Sequence, residues 1–231
     1  MIELTGYQDK HEYVNKHGVK SVVYLMDNMD AMAQMGEKEF SLACVDPPYG
    51  LNLALNGQFK KYGGASKWDV RPDKKYFNRL ISVSENQIIW GWNYMSDMLP
   101  PCKGFIYWNK LNHHENRADG EVAWTSFDKL ARHFEYMWDG NRYGKVGNIQ
   151  GVGKKSTRMH PTEKPVALYD WIFHNYAKPN DTIFDSHCGS GSSRIAADKH
   201  NLPYLATELD ADYFYAHCKR FDRYTAQLTL F

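Results

Sequence analysis

The chain has 231 residues, 43% of them hydrophobic and 15% aromatic, which is ample for one globular domain with a substantial core. A formal net charge of +1 excludes a polyanion-binding surface spread over the whole molecule, so any nucleic-acid contact falls to local basic runs. Cys44, Cys102, Cys188 and Cys218 form no CxxC pair, which argues against a zinc site or a disulfide framework; no metal site is expected, and reduced thiols fit a cytoplasmic protein.

The first residues, "MIELTGYQDKHEY", are polar and carry no signal-peptide pattern, and no apolar run is long enough to span a bilayer. "VKSVVYLMDN" predicts a strand over 21–25 with an Asp-Asn exit, and "DAMAQMGEKEF" a short helix with methionine and alanine on one side. In "SLACVDPPYG", residues 41–50, Leu42–Val45 read as a buried strand that two prolines end. Each proline lacks an N–H and fixes its own φ, and Pro47 biases Asp46 away from the helical region. The product is a stiff, extended corner that keeps one carboxylate, free carbonyls and the Tyr49 ring close together.

Residues 51–75 are rich in Gly, Asn and Lys and read as a long loop. A helix over 76–84 and the strands "NQIIWGW", "GFIYWNK" and "FEYMWDG" follow, and then a second glycine- and lysine-rich loop at 140–157. "KPVALYDWIFHNYAKPND" reads as an amphipathic helix ending before Pro179. The strand "TIFD", a glycine turn, a helix over 192–200, the strand "YLATEL" and a helix over 211–224 complete the chain. Strands alternating with helices predict an α/β fold with a mostly parallel sheet, as a single domain over 1–231 without an internal linker.

The most informative stretch is "TIFDSHCGSGSSRIAADKHNLPYLATELD". A strand ends at Asp185, Gly189, Ser190 and Gly191 make a tight turn, and the next helix starts near Ser192 with free N–H groups. About twenty residues on, a strand ends in Glu208, where an acid accepts from ribose hydroxyls. A dinucleotide fingerprint fails because Arg194 stands where the third glycine belongs. Asp185 at the strand tip would repel a pyrophosphate and attract a sulfonium, which suggests S-adenosylmethionine. "GVGKKS" is no phosphate loop, because no glycine precedes Gly153 by five positions. A plain strand–turn–helix without a ligand stays open on this stretch alone.

Together these motifs resemble the amino-directed DNA methyltransferases, which modify N6 of adenine or N4 of cytosine. Asp46-Pro47-Pro48-Tyr49 matches their catalytic DPPY tetrapeptide, "DSHCGSGSS" is similar to their cofactor loop, commonly DPFCGSGTT, and "MHPTEKP", 159–165, to their H-x-T-x-KP segment. The motif order resembles the β arrangement, a circular permutation, and the likeness runs from about Val22 to Phe221. It implies a Rossmann-like methyltransferase fold with a seven-stranded sheet, S-adenosylmethionine as cofactor and DNA as substrate.

Asp46, Pro47, Pro48 and Tyr49 are then implied as catalytic. Asp185, Ser186, His187, Cys188, Gly189, Ser190, Gly191 and Ser192 line the methionine side of the cofactor, Glu208 holds the ribose, and Asp27 contacts the cofactor. Thr162 and Lys164 lie near the methionine carboxylate. Ser186-His187 departs from the usual Pro-Phe and sets an imidazole beside the cofactor; Ser192 replaces threonine.

Asn93 and Trp108, with Trp90 and Trp92, are expected to shape the pocket for a flipped base, and Lys60, Lys61, Lys154, Lys155 and Arg158 to contact DNA phosphates from the two loops. No separate target-recognition domain is expected, so a homodimer or specificity partner is a candidate reader. "QLTLF", Gln227–Phe231, resembles the peptide with which bacterial DNA enzymes dock on the sliding clamp. The leading expectation is adenine-N6 methylation by a bacterial or phage enzyme, restriction-modification included. The alternatives are N4-cytosine methylation and a catalytically silent DNA-binding subunit.

Overall fold

Short apolar runs that alternate with amphipathic stretches build one large sheet covered by helices. The computed structural model describes residues 1–51, 70–112, 118–138, 143–145, 148–150 and 163–228. Its elements are β1 (Asp9–Val14), β2 (Lys20–Leu25), α1 (Asn28–Ala33), β3 (Phe40–Val45), α2 (Lys74–Val83), β4 (Ser84–Trp90) and α3 (Trp92–Met95). They continue with β5 (Phe105–Asn109), β6 (Gly120–Thr125), β7 (Arg132–Glu135), β8 (Met137–Trp138), β9 (Tyr143–Lys145) and β10 (Asn148–Gln150). The last are α4 (Val166–Tyr176), β11 (Ile183–Asp185), α5 (Ser192–Lys199), β12 (Tyr204–Glu208) and α6 (Ala211–Leu228).

The main sheet runs β1-β2-β12-β11-β3-β4-β6-β5-β7, and β10-β9-β8 form a small sheet of their own. β2, β12, β11, β3 and β4 are mutually parallel. β1 is antiparallel to β2, and β6 to both β4 and β5. The parallel strands are near-continuous apolar runs because both faces are covered. Alternate residues sort accordingly: Val23, Leu25, Leu42, Cys44, Ile88, Trp90 and Ala206 pack under α4 and α5, against Leu168, Ile172, Phe173, Ala196 and Ala197. Val22, Tyr24, Ala43, Val45, Ile89 and Leu205 pack on the other face, against Ala31, Met32, Phe77 and Leu80 of α1 and α2.

The mostly parallel α/β sheet agrees with the sequence, but it has nine strands where seven were expected. β1 is added by a turn in which the Asn15 side chain accepts from the His17 and Val19 N–H groups. "FEYMWDG" splits between β7 of the large sheet and β8 of the small one. β6 had no counterpart among the expected strands. α6 runs to Leu228, so Gln227 and Leu228 of the expected clamp peptide are helical instead of extended, and 229–231 lie outside the described residues.

Arg194 explains why a dinucleotide glycine is missing from α5. Its buried guanidinium donates to Ser21 Oγ (3.1 Å), meets His11 Nδ1 (3.0 Å) and lies 3.9 Å from the Phe221 ring centroid. It thereby ties α5 to β1, β2 and α6. No helix among the described residues is long and apolar enough to cross a membrane.

Two strand pairs position the site. From β11 the chain moves outward to β12, and from β3 to β4 on the other side. The carboxyl ends of β11 and β3 therefore flank the switch point at which open α/β sheets bind ligands.

Candidate active site

The five parallel strands end on one edge, and each exit carries a polar or glycine residue: Asp27 after β2, Glu208 at the end of β12, Asp185 at the end of β11, Asp46 after β3 and Gly91 after β4. β6 runs the opposite way, so its first residues, Gly120 and Glu121, lie on the same edge. Lys110 follows directly on β5, whose direction is antiparallel to β6.

On the β3 side the corner is built around a buried ammonium. Lys164, with a side chain only 3% exposed, lies 2.5 Å from Asp46 Oδ1 and 3.1 Å from Glu121 Oε2, and donates to Tyr49 OH at 3.1 Å. Tyr49 OH donates to the same Asp46 Oδ1 at 2.7 Å. Lys110 closes the chain by pairing with Glu121 Oε1. The network thus alternates carboxylate, ammonium, carboxylate, ammonium from the pocket outward.

Its charges follow from burial and pairing. Burial raises the Asp46 carboxyl above the usual carboxylate range, against the pull of Lys164. Burial also pushes on Glu121, but Lys164 and Lys110 outweigh it and bring that carboxyl down to about 2. Burial alone would lower Lys164; Asp46 and Glu121 together hold it above its ordinary value, so it stays charged. The Tyr49 ring stacks on Tyr94 with centroids 5.1 Å apart. Gly91, at φ +76°, makes room for it, because a Cβ there would stand 2.2 Å from Tyr49 Cε1.

The β11 side is a turn tied down from beneath. Asp185 is buried and accepts from Ser193 Oγ (2.6 Å), the His187 N–H (3.1 Å) and Tyr204 OH (3.3 Å), with its carboxyl raised to about 6 by burial. Glu208 accepts from the Gly189 N–H (2.8 Å) and the Asp210 N–H (2.9 Å), and burial raises it to about 7. Gly191, at φ +76°, is required by packing, since a Cβ would stand 2.2 Å from His217 Cδ2. Ser192 Oγ and the Ser190 carbonyl both accept from Arg220 Nη1, at 3.0 and 2.8 Å.

His187 faces the start of α1 and Tyr76 of α2. Its Nε2 meets Asn28 Nδ2 at 3.1 Å and its Nδ1 meets Ser186 Oγ at 2.9 Å; burial lowers the imidazole to about 4, so it is neutral at pH 7. Ser186 Oγ lies 2.7 Å from Tyr76 OH, whose surroundings include both Asp185 and Asp46. Asp27 caps α1 by accepting from the Met29 and Asp30 N–H groups. Corner and turn therefore stand side by side on one edge, with Tyr76 and Tyr169 in the electrostatic reach of both acids.

Several expectations need correction. Trp108 is a core residue: it is 1% exposed, its Nε1 donates to the Tyr136 carbonyl at 3.0 Å, and its ring abuts Trp90. Strand alternation puts it on the buried face with Ile106. The Cys188 side chain turns inward, 3.5 Å from Tyr204 OH and 3.7 Å from His217 Nδ1. The Asp185 carboxylate, expected to face a sulfonium, fastens the turn to the core instead. Lys164 pairs with Asp46. Asn93 is exposed on α3, beside the Tyr49–Tyr94 stack. Lys60, Lys61, Lys154, Lys155, Arg158 and Thr162 lie outside the described residues.

Sequence reasoning missed Glu121, Lys110, Tyr76 and Tyr94. Tyr76 and Tyr94 carry no local signal. Glu121 and Lys110 are cross-strand diagonal neighbours, visible only once β5 and β6 are paired.

A family model described as DNA methylase, N6/N4 type, matches residues 70–219, beginning after the Asp46 corner. The chain is 25% identical over 251 residues to the type II methyltransferase M2.DpnII of Streptococcus pneumoniae, covering 91% of this chain and 92% of that protein. It is 23% identical over 240 residues to the type II methyltransferase M1.MboII of Moraxella bovis, covering 83% and 92%. Among solved structures, the M1.HpyAVI–SAM complex matches with 19% identity and a TM-score of 0.55 over 86% of this chain and 98% of that one. The cytosine-N4-specific PvuII DNA methyltransferase matches with 16% identity and a TM-score of 0.57 over 86% and 85%.

The ionic network is testable without a substrate. Lys164→Met leaves two partly buried carboxylates, 17% and 23% exposed, without their shared counter-charge and is expected to cost about 1–3 kcal/mol in urea unfolding. Combining it with Asp46→Asn is expected to cost less than the two single changes added together.

Proposed function

The chain belongs to the N6/N4 DNA methylase family, and we infer that it transfers a methyl group from S-adenosylmethionine to N6 of adenine in DNA. The observation that supports this most is the adjacency of two exits on neighbouring parallel strands, the Asp46 corner after β3 and the glycine turn after β11. The residues present fit the cofactor. Glu208 offers an acceptor for ribose hydroxyls; among the described residues other than its chain neighbours, the nearest heavy atom to a Cβ at Gly189 would be the His187 carbonyl oxygen at 3.9 Å; and α5 begins directly behind the turn. When bound, S-adenosylmethionine supplies the electrophilic methyl group.

The protein's task is to make an exocyclic amine nucleophilic, because its lone pair is delocalised into the base. Lys164 and Tyr49 both meet the Asp46 carboxylate at Oδ1, which favours Oδ2 as the oxygen that takes the amine. One N–H would donate to Oδ2 and the other to the Pro47 carbonyl, which localises the lone pair on nitrogen. Tyr49 would stack on the base, at about 1–3 kcal/mol. Transfer of the methyl group supplied by the cofactor would leave the nitrogen with one proton too many, and that proton would pass to Asp46 as general base or through it to water. In duplex DNA the base must first leave the stack, at a few kcal/mol.

Aspartate at the head of the tetrapeptide favours adenine over N4 of cytosine. The intact Asp46–Lys164–Glu121 network speaks against a silent DNA-binding subunit. Basic segments outside the described residues would contact phosphates, in the manner of a type II modification enzyme with a short or loosely read target. Docking on a sliding clamp through Gln227–Phe231 is a separate proposal and requires the last turn of α6 to unwind. Pairing with a second copy or a specificity subunit would supply a target reader.

Asp46→Ala is expected to abolish methyl transfer while S-adenosylmethionine still binds, measured by labelled-methyl incorporation and calorimetry; near-normal turnover would refute the assignment. Digesting DNA methylated by the wild-type protein is expected to release N6-methyl-2′-deoxyadenosine, and N4-methyl-2′-deoxycytidine would replace this reading with its rival.

Glu208 gives the pH dependence. Its ionised form accepts from ribose hydroxyls, and the free protein holds it protonated up to about 7, so cofactor affinity is expected to rise with pH through that value, with proton release on binding. Glu208→Gln is expected to bind the cofactor roughly tenfold to a hundredfold more weakly at pH 8, with the pH dependence flattened.

A further inference from the structure

Glu121 lies in none of the three motifs, yet it is one ammonium away from Asp46. Its Oε2 is 3.1 Å from Lys164 Nζ and 3.4 Å from Tyr49 OH, while its Oε1 takes Lys110. Both groups that touch Asp46 Oδ1 are thus also held by Glu121. We propose that Glu121 is a positioning residue for methyl transfer: it shares the Lys164 ammonium with Asp46, so that Asp46 is fixed in place without being neutralised and remains a strong acceptor for the target amine. This rests on the methyltransferase reading above.

A lone buried ammonium 2.5 Å from a carboxylate would neutralise it, and a neutralised carboxylate is a weak acceptor. A second carboxylate on the same ammonium draws it back and leaves net negative charge beside the amine and the cationic methyl donor. Lys110, a half-step nearer solvent, limits that pull by engaging the other oxygen of Glu121. The groups that face Asp46 are Lys164, Glu121 and Tyr49, with Cys44, Tyr76, Tyr169 and Asp185 farther off. Burial keeps the three tyrosines and the thiol protonated, so Lys164, Glu121 and Asp185 set the field.

The sign of each change is fixed. Removing the Glu121 charge gives Lys164 wholly to Asp46 and moves the Asp46 ionisation to lower pH. Removing Lys110 lets Glu121 take more of Lys164 and moves it to higher pH.

The test uses the full-length chain, comparing Glu121→Gln, Glu121→Asp and Lys110→Met. Turnover against pH at saturating S-adenosylmethionine is followed together with the ¹³C titration of the Asp46 carboxyl, assigned by its loss in Asp46→Asn. For Glu121→Gln the expected result is a fall in kcat of roughly tenfold or more, a cofactor KM changed by less than about twofold, and an acid limb and carboxyl titration displaced to lower pH. Glu121→Asp keeps the charge and is expected to recover part of the wild-type profile; Lys110→Met is expected to displace both readouts to higher pH. Wild-type turnover in Glu121→Gln, or turnover lost with neither the limb nor the titration displaced, would overturn the proposal. Should Glu121→Gln fail to fold, displacement of the wrong sign or none in Lys110→Met overturns it as well. Failure of the wild-type protein to methylate DNA would overturn the methyltransferase reading, while the carboxyl titration, which needs no substrate, still decides whether Glu121 governs Asp46.

Discussion

A single buried ammonium, Lys164, holds the candidate catalytic corner together. It arrives from the segment before α4 and reaches one carboxylate just after β3 and another on β6. Two partly buried carboxylates so close to each other would repel, and each would carry a desolvation cost without a counter-charge. With Lys164 between them and Lys110 outside, the corner carries its charges in a fixed order. The Tyr49 ring is oriented by the same ammonium and by the open space at Gly91. Geometry, ionisation and aromatic orientation at the corner thus share one cause.

The parallel sheet turns this local arrangement into a site. Because β2, β12, β11, β3 and β4 point the same way, acids separated by more than 150 positions along the chain reach one edge. Their environments then diverge. Glu208 and Asp185 are pushed towards neutrality by burial, whereas Glu121 is held ionised by two lysines. Groups of one chemical type are thereby set to different ionisation states, which on the proposed reading suit different tasks: closing the turn, meeting a nucleoside, and tuning a neighbouring carboxylate.

Much of this was legible in the sequence, and the physical reason is locality. A Pro-Pro corner, a Gly-Ser-Gly turn and an acid at a strand end declare themselves over a few residues, and the alternation of apolar runs with amphipathic stretches gave the α/β class. What depended on cross-strand register did not show. β6 begins with Gly-Glu and offers only a short apolar run, so Glu121 went unseen, and with it the reason Lys164 belongs to Asp46. Trp108 was misplaced because an aromatic at a strand end looks the same whether it meets a ligand or the core; its shared face with Ile106 decides for the core. Cys188 and Asp185 were placed on the correct turn but with the wrong orientation. Tight turns point successive side chains in different directions, and here buried partners, Tyr204, Ser193 and His217, claim both.

The claim on which the rest stands is that the Asp46 corner and the glycine turn share one pocket. The most direct measurement is a crystal structure with an S-adenosylmethionine analogue that carries an amine in place of the sulfonium methyl group. The expected result has the sugar hydroxyls on the Glu208 carboxylate and the analogue's amine facing Asp46 across the β11–β3 crevice, within about 6 Å, the gap one target amine would fill. An analogue bound elsewhere, or an amine more than about 10 Å from Asp46, would contradict it.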